Sequence, residues 1–277
     1  MGRTLLFALM IALGVARPAL SQAIEVIRIN GSGSALDMLK PLAESYQRSN
    51  RQVRIVVEKP LGSSGAINAL LAGALGLAMS SKPLRAEEAD RGARLHPYGR
   101  TPLAIVTEPG VPASNVTTQQ LEEIYSGRVT QWQQGGPIRL VLRPQGDIDT
   151  QILRALSPGL DKAVSVSQVR PGMLMAVTDP EATALIARTQ GALGTSGLAS
   201  VLGEKLPMKI LTLNGVRPTT GTLANGAYPM AKEVGIVTTP RTPAAALAFI
   251  DFLFSKPGRI LAEKAGVLVT GSAAPSR

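Results

Sequence analysis

Three short stretches of the chain carry residue types that can hold an anion: Gly31-Ser32-Gly33-Ser34, Gly62-Ser63-Ser64-Gly65 and Gly146-Asp147-Ile148-Asp149-Thr150. In each, an apolar run ends, glycine and short polar residues follow, and a helical pattern begins. A helix start leaves backbone N–H groups unpaired and carries partial positive charge. Glycine lets the backbone come close to a guest, and serine or threonine hydroxyls add rotatable donors, so the pattern suits an oxyanion. Any one of these loops also reads as an ordinary capped helix start. Their recurrence in one chain is what points to a ligand. Arg143 lies directly before the third loop, and a guanidinium can fork two donors onto one oxyanion. Without the loop it would read equally well as one half of an ion pair.

Much other chemistry is excluded by composition. The 277 residues include no cysteine and one histidine, His96. That removes thiolate nucleophiles, disulfides and cysteine metal sites, rules out a multi-histidine metal centre, and argues against a Ser-His-Asp hydrolase. Gly31-Ser32-Gly33 lacks the third glycine of a dinucleotide fingerprint, and the chain has no Gly-Lys-Ser/Thr phosphate loop and no Gly-x-Ser-x-Gly elbow. Asp147-Ile148-Asp149-Thr150 resembles the Asp-x-Asp-x-Thr box of aspartyl-phosphate phosphatases. Here, however, the threonine comes one residue early, and Arg143-Pro144-Gln145-Gly146 separates the box from its strand. No catalytic constellation is visible, so the expectation is a protein that is not an enzyme and needs no metal or cofactor. His96 reads as a core or surface polar residue, and Trp132 as packing.

The formal charge is +10, from 29 basic and 19 acidic side chains. Such a surface attracts anions. Nucleic acid is not expected, because the basic residues are scattered and aromatics make up only 3% of the chain. Residues 1–23 read as a secretory signal: Arg3, an apolar run over residues 5–16, and small residues at the cut, Ser21-Gln22-Ala23. Cleavage there removes Arg3 and Arg17 and leaves a net charge of +8. No cysteine at the cut offers a lipid anchor, so the expected product is soluble, exported and periplasmic.

The elements that must position these loops follow from periodicity. A β-branched run over residues 24–29 precedes the first loop, and a helix pattern with Leu36, Leu39, Leu42, Ala43 and Tyr46 on one face follows it. Pro41 is expected in the first turns of that helix. Residues 53–57 read as a strand, then the second loop, then a helix with Ile67, Leu70, Leu71 and Ala74, for which Ser63 or Ser64 is the expected cap. This strand–loop–helix rhythm, repeated, predicts an α/β sheet with parallel strands. Further strands are expected over 75–79, 102–106, 138–142, 191–200, 209–213 and 234–238. Further helices are expected after Thr117-Thr118-Gln119-Gln120 (a capping box closed by Gly127), after Thr150, at Thr178-Asp179-Pro180-Glu181, and twice after Thr242-Pro243.

At these loops the sequence resembles the phosphate-binding proteins of ABC importers, two-lobed receptors of the type II periplasmic binding fold. Residues 29–36 are similar to that family's first anion loop, and residues 61–67 (LGSSGAI) to its second. Residues 75–84 (LGLAMSSKPL) match the segment that closes the first half-sheet. Residues 121–132 (LEEIYSGRVTQW) match the second-lobe helix, residues 142–150 the arginine and its loop, and residues 191–200 a later glycine-rich strand. The resemblance implies an α/β fold with the ligand cleft between two lobes, one of residues 24–106 with 228–277 and the other of residues 107–227. It also implies a site: donors around Ser34, Ala35 and Leu36; Ser63 with amides near Ser64 and Gly65; charge from Arg143; and a hydroxyl from Thr150.

Two departures bear on the cargo. The family has an aspartate, which accepts the proton of hydrogen phosphate, where this chain has Ser81. Asp147 and Asp149 replace small neutral residues, and a carboxylate repels an anion unless it faces away, pairs with Arg143 or accepts a ligand proton. The expectation is therefore a solute-binding protein that captures a small oxyanion, phosphate first, for an inner-membrane ABC permease. It would act as a monomer and use neutral donors plus one guanidinium. The alternatives are sulfate, molybdate, tungstate or an organic phosphate on the same fold, or a non-transporting sensor or accessory protein.

Overall fold

The computed structural model describes residues 23–205 and 207–271. All but the last residue of the expected export signal lies outside them. The first stretch runs β1 (Glu25–Gly31), α1 (Gly33–Ser49), β2 (Val53–Val57), α2 (Gly62–Leu71), β3 (Leu77–Ser80), α3 (Ala86–Asp90) and β4 (Arg94–Thr107). Next come β5 (Asn115–Val116), α4 (Thr118–Ser126), β6 (Arg139–Leu142), α5 (Ile148–Arg154), α6 (Pro158–Val169), β7 (Leu174–Met175), α7 (Asp179–Arg188), β8 (Ala192–Gly197), α8 (Leu198–Glu204), β9 (Lys209–Ile210), β10 (Thr212–Leu213) and α9 (Thr220–Ala224). The chain then returns through β11 (Ala231–Thr238), α10 (Ala244–Phe254), α11 (Lys256–Lys264) and β12 (Leu268–Val269).

The main sheet has the strand order β2-β1-β3-β11-β4-β8-β6-β7. The expected parallel pairing holds for β1 with β2 and β3, and for β6 with β8 and β7. Between these two parallel groups lie the long strands β4 and β11, which run antiparallel to each other and to their flanking neighbours β8 and β3. Both β1 and β6 therefore have parallel neighbours on either side. The chain leaves β1 toward β2 and leaves β3 toward the other side; likewise it leaves β6 toward β7 and β8 toward the other side. A crevice therefore opens beyond the carboxyl ends of β1 and β3 and of β6 and β8. The residues just past β1 are Ser32 and Gly33; the residue just past β6 is Arg143.

Two principal cores form. One gathers Ile27, Ile29, Leu36, Leu39, Leu42, Tyr98, Val234, Ile236 and Phe249 under α1, α10 and α11. The other gathers Leu103, Ile105, Leu121, Tyr125, Trp132, Leu140, Leu160, Tyr228 and Met230 under α4 and α6. β4 supplies Tyr98 to the first and Leu103 to the second; β11 supplies Val234 to the first, and the second takes Met230 immediately before it. Both strands thus cross between the cores side by side, where Lys232 pairs with Thr101 in the ladder. Trp132 packs in the second core and donates its indole N–H to Gly191 O at 3.2 Å. His96 Nε2 pairs with Thr238 Oγ1 at 2.8 Å.

Several local expectations are corrected. α1 begins at Gly33, so Pro41 stands in mid-helix and deprives the Asp37 carbonyl of its usual N–H donor. α2 begins at Gly62, in the left-handed region at φ 72°, so Ser63 and Ser64 lie inside its first turn; neither caps it. The strand expected over residues 191–200 ends at Gly197, and α8 follows and packs on α1. α6, capped by Ser157 with Pro158 in its first turn, was not foreseen.

Candidate functional site

Asn30 ties the first two glycine-serine loops together. Its side-chain oxygen accepts the N–H groups of Gly31 and Leu61, both at 2.8 Å. Gly31 is required by packing: a Cβ there would sit 2.3 Å from the Met79 carbonyl oxygen of β3. Beyond it, Ser32 Oγ pairs with Ser81 Oγ at 2.6 Å, and Ser81 donates its N–H to Ser63 Oγ at 3.0 Å. Three segments far apart in sequence thus meet in one hydroxyl network.

Arg143 enters from the opposite side, at the carboxyl end of β6, and is 5% exposed. Its carbonyl is pinned by the Thr150 hydroxyl at 3.1 Å and the Gln168 amide at 2.8 Å. Its guanidinium reaches Asp147 at 2.7 Å and Asp179 at 3.1 Å, both through Nη2. Nε and Nη1 are buried with no hydrogen-bond partner among the described residues. Leaving such donors unpaired is costly, so they favour a hydrogen-bond acceptor beside Arg143.

A second cation completes the arrangement. Lys232, on the strand that crosses between the cores, is 1% exposed and lies 2.7 Å from Asp149 and 3.1 Å from Asp179. Two cations therefore face three carboxylates, a single negative charge in excess when all are ionised. Burial alone would lower the Lys232 pKa, but Asp149 and Asp179 outweigh it and hold the ammonium charged. Burial pushes Asp149 up to about 6, with Asp179 and Asp147 adding to the rise against the pull of Lys232. Burial would also raise Asp179, yet Lys232, Arg143 and the Ser34 hydrogen bond bring it down to about 2. The carboxylates differ because Asp179 has two cations and a backbone donor, while Asp149 has mainly Lys232.

Several of these groups border a chamber of about 140 Å³ lined by Ser32, Gly33, Gly62, Ser63, Arg143, Asp147, Asp179 and Lys232, among others, with Pro60, Leu61, Ile148 and Val177 as its apolar members. That is well under the roughly 300 Å³ at which drug-sized pockets begin, so the space fits a guest of a few atoms. A larger cavity, about 400 Å³, lies by α4 and Trp132, where Glu123 is the one charged lining residue. It holds neither of the cations an anion needs.

A family profile described as a PBP superfamily domain matches residues 16–257. The chain belongs to the PBP superfamily. Among its relatives, it is 26% identical over 251 residues to the phosphate-binding protein PstS of Borreliella burgdorferi, covering 88% of this chain and 90% of that one. Among solved structures, it is similar to a putative phosphate ABC transporter substrate-binding protein from Clostridium perfringens with bound phosphate. That match has a TM-score of 0.74 and 21% identity, over 89% of this chain and 100% of the other. It also resembles an ABC-type phosphate transport receptor from Vibrio cholerae, with a TM-score of 0.58 and 25% identity over 88% and 99% of the two chains. The fold is the α/β, two-lobed type II architecture of the PBP superfamily.

In this PBP superfamily chain the expected site residues fall into two groups. Ser63, Arg143 and Asp147 line the chamber. Ser34 lies against Asp179, and Ser81 holds the hydroxyl network behind the chamber. Ala35 and Leu36 point into the first core, and Leu36 spends its N–H on the Ser32 carbonyl. Ser64 accepts from Lys82, Gly65 packs on Leu61, and Thr150 turns its hydroxyl onto Arg143 O. Among the described residues, Arg143 is the one guanidinium in the chamber lining, and Lys232 adds an ammonium that the expectation did not include.

Sequence reasoning also passed over Asn30, Ser32 and Asp179 as single residues. For Lys232 a signal was present: its strand alternates, and Met230, Val234 and Ile236 on the same face are all buried and apolar. A lysine on that face has to be paired. Asp179 gave no such sign, because an acid in the first turn of a helix is already explained by the helix dipole.

Proposed function

We propose that the protein is a solute-binding protein that captures a small oxyanion, phosphate first, and delivers it to the membrane permease of an ABC importer. The observation that carries this reading is Arg143: buried, at a crevice beyond the carboxyl end of a parallel strand, with two guanidinium nitrogens unpaired, and lining a chamber too small for an organic ligand of ordinary size. The names of the relatives, phosphate-binding protein PstS in three organisms, support phosphate as the cargo. No catalytic role is assigned to any group in the chamber.

The two cores support a division into lobes near residues 101–103 and 230–232, where β4 and β11 cross, with closure of the lobes enclosing the guest. The reading places the protein in the periplasm as an exported monomer. No described helix is long and apolar enough to cross a membrane.

The test is calorimetric titration of the purified protein with inorganic phosphate, sulfate and molybdate, checked by thermal melting, since a ligand that binds the folded state raises its midpoint. Saturable binding of phosphate, weakened in Arg143→Met, supports the proposal. Absence of heat and of any melting shift with all three anions at millimolar concentration overturns it.

A further inference from the structure

α1 starts without a side-chain cap of its own. Ser32 stands in the capping position but uses its hydroxyl on Ser81. The N–H of Ser34, which such a cap would satisfy, donates instead to Oδ2 of Asp179 at 3.1 Å, and the Ser34 hydroxyl donates to the same oxygen at 3.3 Å. The other side of that carboxylate receives Arg143 Nη2 at 3.1 Å, and Lys232 Nζ reaches both oxygens at 3.1 and 3.2 Å. An amide at the start of a 17-residue helix, a hydroxyl, a guanidinium and an ammonium together are the donor set of an oxyanion site. The oxyanion in it is the protein's own.

The fit is close. Gly33 admits Asp179, since a Cβ on residue 33 would lie 2.6 Å from the Asp179 Cβ. The side chain is not needed where it originates, because α7 is capped by the Thr178 hydroxyl, which accepts the N–H of Glu181. Its departure would leave no cation bare: Arg143 keeps Asp147 and Lys232 keeps Asp149, each at 2.7 Å. Arg143 would still have its Nε and Nη1 nitrogens unpaired. Asp179 also joins the two halves, since Ser34 and α1 pack with the first core while α7 packs beside β6 and β8.

Building on the oxyanion-binding reading, we infer that Asp179 is an internal competitor for the incoming anion. Its carboxylate latches the halves together across the chamber, and the guest binds by displacing it from Ser34 and Arg143. Affinity for an external oxyanion is thereby set below what the same donors would give alone, because each binding event must first break this internal set.

The experiment compares wild type, Asp179→Asn and Asp179→Ala by calorimetric titration with inorganic phosphate and with sulfate. Small-angle scattering is recorded on each protein with and without phosphate, and circular dichroism checks the fold. Asp179→Ala is expected to bind phosphate about tenfold tighter or more, the scale of one charge-assisted hydrogen bond. Without phosphate it should scatter as a more open particle than wild type, and phosphate should return it to the wild-type dimensions. Asp179→Asn, which keeps the shape and drops the charge, should shift affinity in the same direction and decides the matter if the alanine variant does not fold. Unchanged or weaker phosphate binding in folded variants overturns the inference, weaker binding making Asp179 a ligand contact and unchanged binding a plain helix cap. If neither anion binds any of the three proteins, the oxyanion reading itself falls and the competitor role with it. In that case the scattering of the unliganded variants still decides the latch: expansion supports it and identical dimensions overturn it.

Discussion

Lys232 Nζ lies 2.7 Å from Asp149 Oδ1, and both side chains are almost wholly closed off from solvent. Lys232 belongs to a strand that passes between the two cores, and Asp149 to the first turn of α5, so the pair fastens the helix beyond Arg143 to the middle of the sheet. Removing one partner of a buried pair leaves the other charge desolvated and uncompensated. Lys232→Met is therefore expected to lower unfolding stability by about 3–5 kcal/mol, since Asp149 and Asp179 would face each other without it. Adding Asp149→Asn should recover part of the loss. Urea denaturation of the single and double variants reads this directly, and a double variant no more stable than Lys232→Met would show that charge burial is not the cause.

The pH dependence of stability follows from the same carboxyls. Asp149 has a folded pKa raised to about 6, so its contribution is fully present below its unfolded value and is lost as pH rises through 6. Asp179 is depressed to about 2, so its contribution holds above its unfolded value and fades as pH falls toward 2. His96, whose pKa is lowered by burial, opposes Asp149 in the same range. The informative quantity is thus the difference between wild type and Asp149→Asn. That difference should favour wild type by on the order of 1 kcal/mol more at pH 5 than at pH 7.5. Denaturant midpoints at the two pH values measure it; a pH-independent difference would remove Asp149 from the account.

Arg143 should dominate anion affinity, because it brings a full charge to the chamber and has two guanidinium nitrogens unpaired. Replacement by methionine is expected to weaken phosphate binding by about 10- to 100-fold, the range of one charged hydrogen bond. Arg143→Lys should recover only a fraction, since an ammonium keeps the charge and loses the planar fork. Titration calorimetry on the two variants checks this, and equal affinities in all three proteins would place the anion elsewhere.

Thr150 is expected to act on the backbone alone. Its hydroxyl holds the Arg143 carbonyl, which keeps the Gln168 amide as a second donor. Thr150→Val should cost about 1 kcal/mol of stability, one ordinary hydrogen bond. Phosphate affinity should stay within about twofold, less than a single hydrogen bond is worth. A large loss of binding with little loss of stability would return Thr150 to the ligand shell.

Period and punctuation alone gave α1, α4 and α10, because each carries a buried stripe and a recognisable boundary: glycine for α1, a Thr117–Gln120 capping box for α4, Pro243 for α10. The glycine-serine loops after β1 and before α2 were legible for the same local reason, and so was Arg143 at a strand end. Ser81 was legible only as a difference from a family pattern, and the apolar stripe of α1 already turned Leu36 inward, whereas nothing local showed which way Ala35 and Ser64 face. What no local pattern carried was the meeting of Ser34 with Asp179, 145 positions apart, and of Lys232 with Asp149 and Asp179. Sequence fixes which residues can be helix starts and which faces are apolar, since those depend on neighbours within a few residues. The identity of the anion now resting on α1, and the balance of charge around Arg143, depend on how two crossing strands set one half of the molecule against the other, and only the folded sheet specifies that.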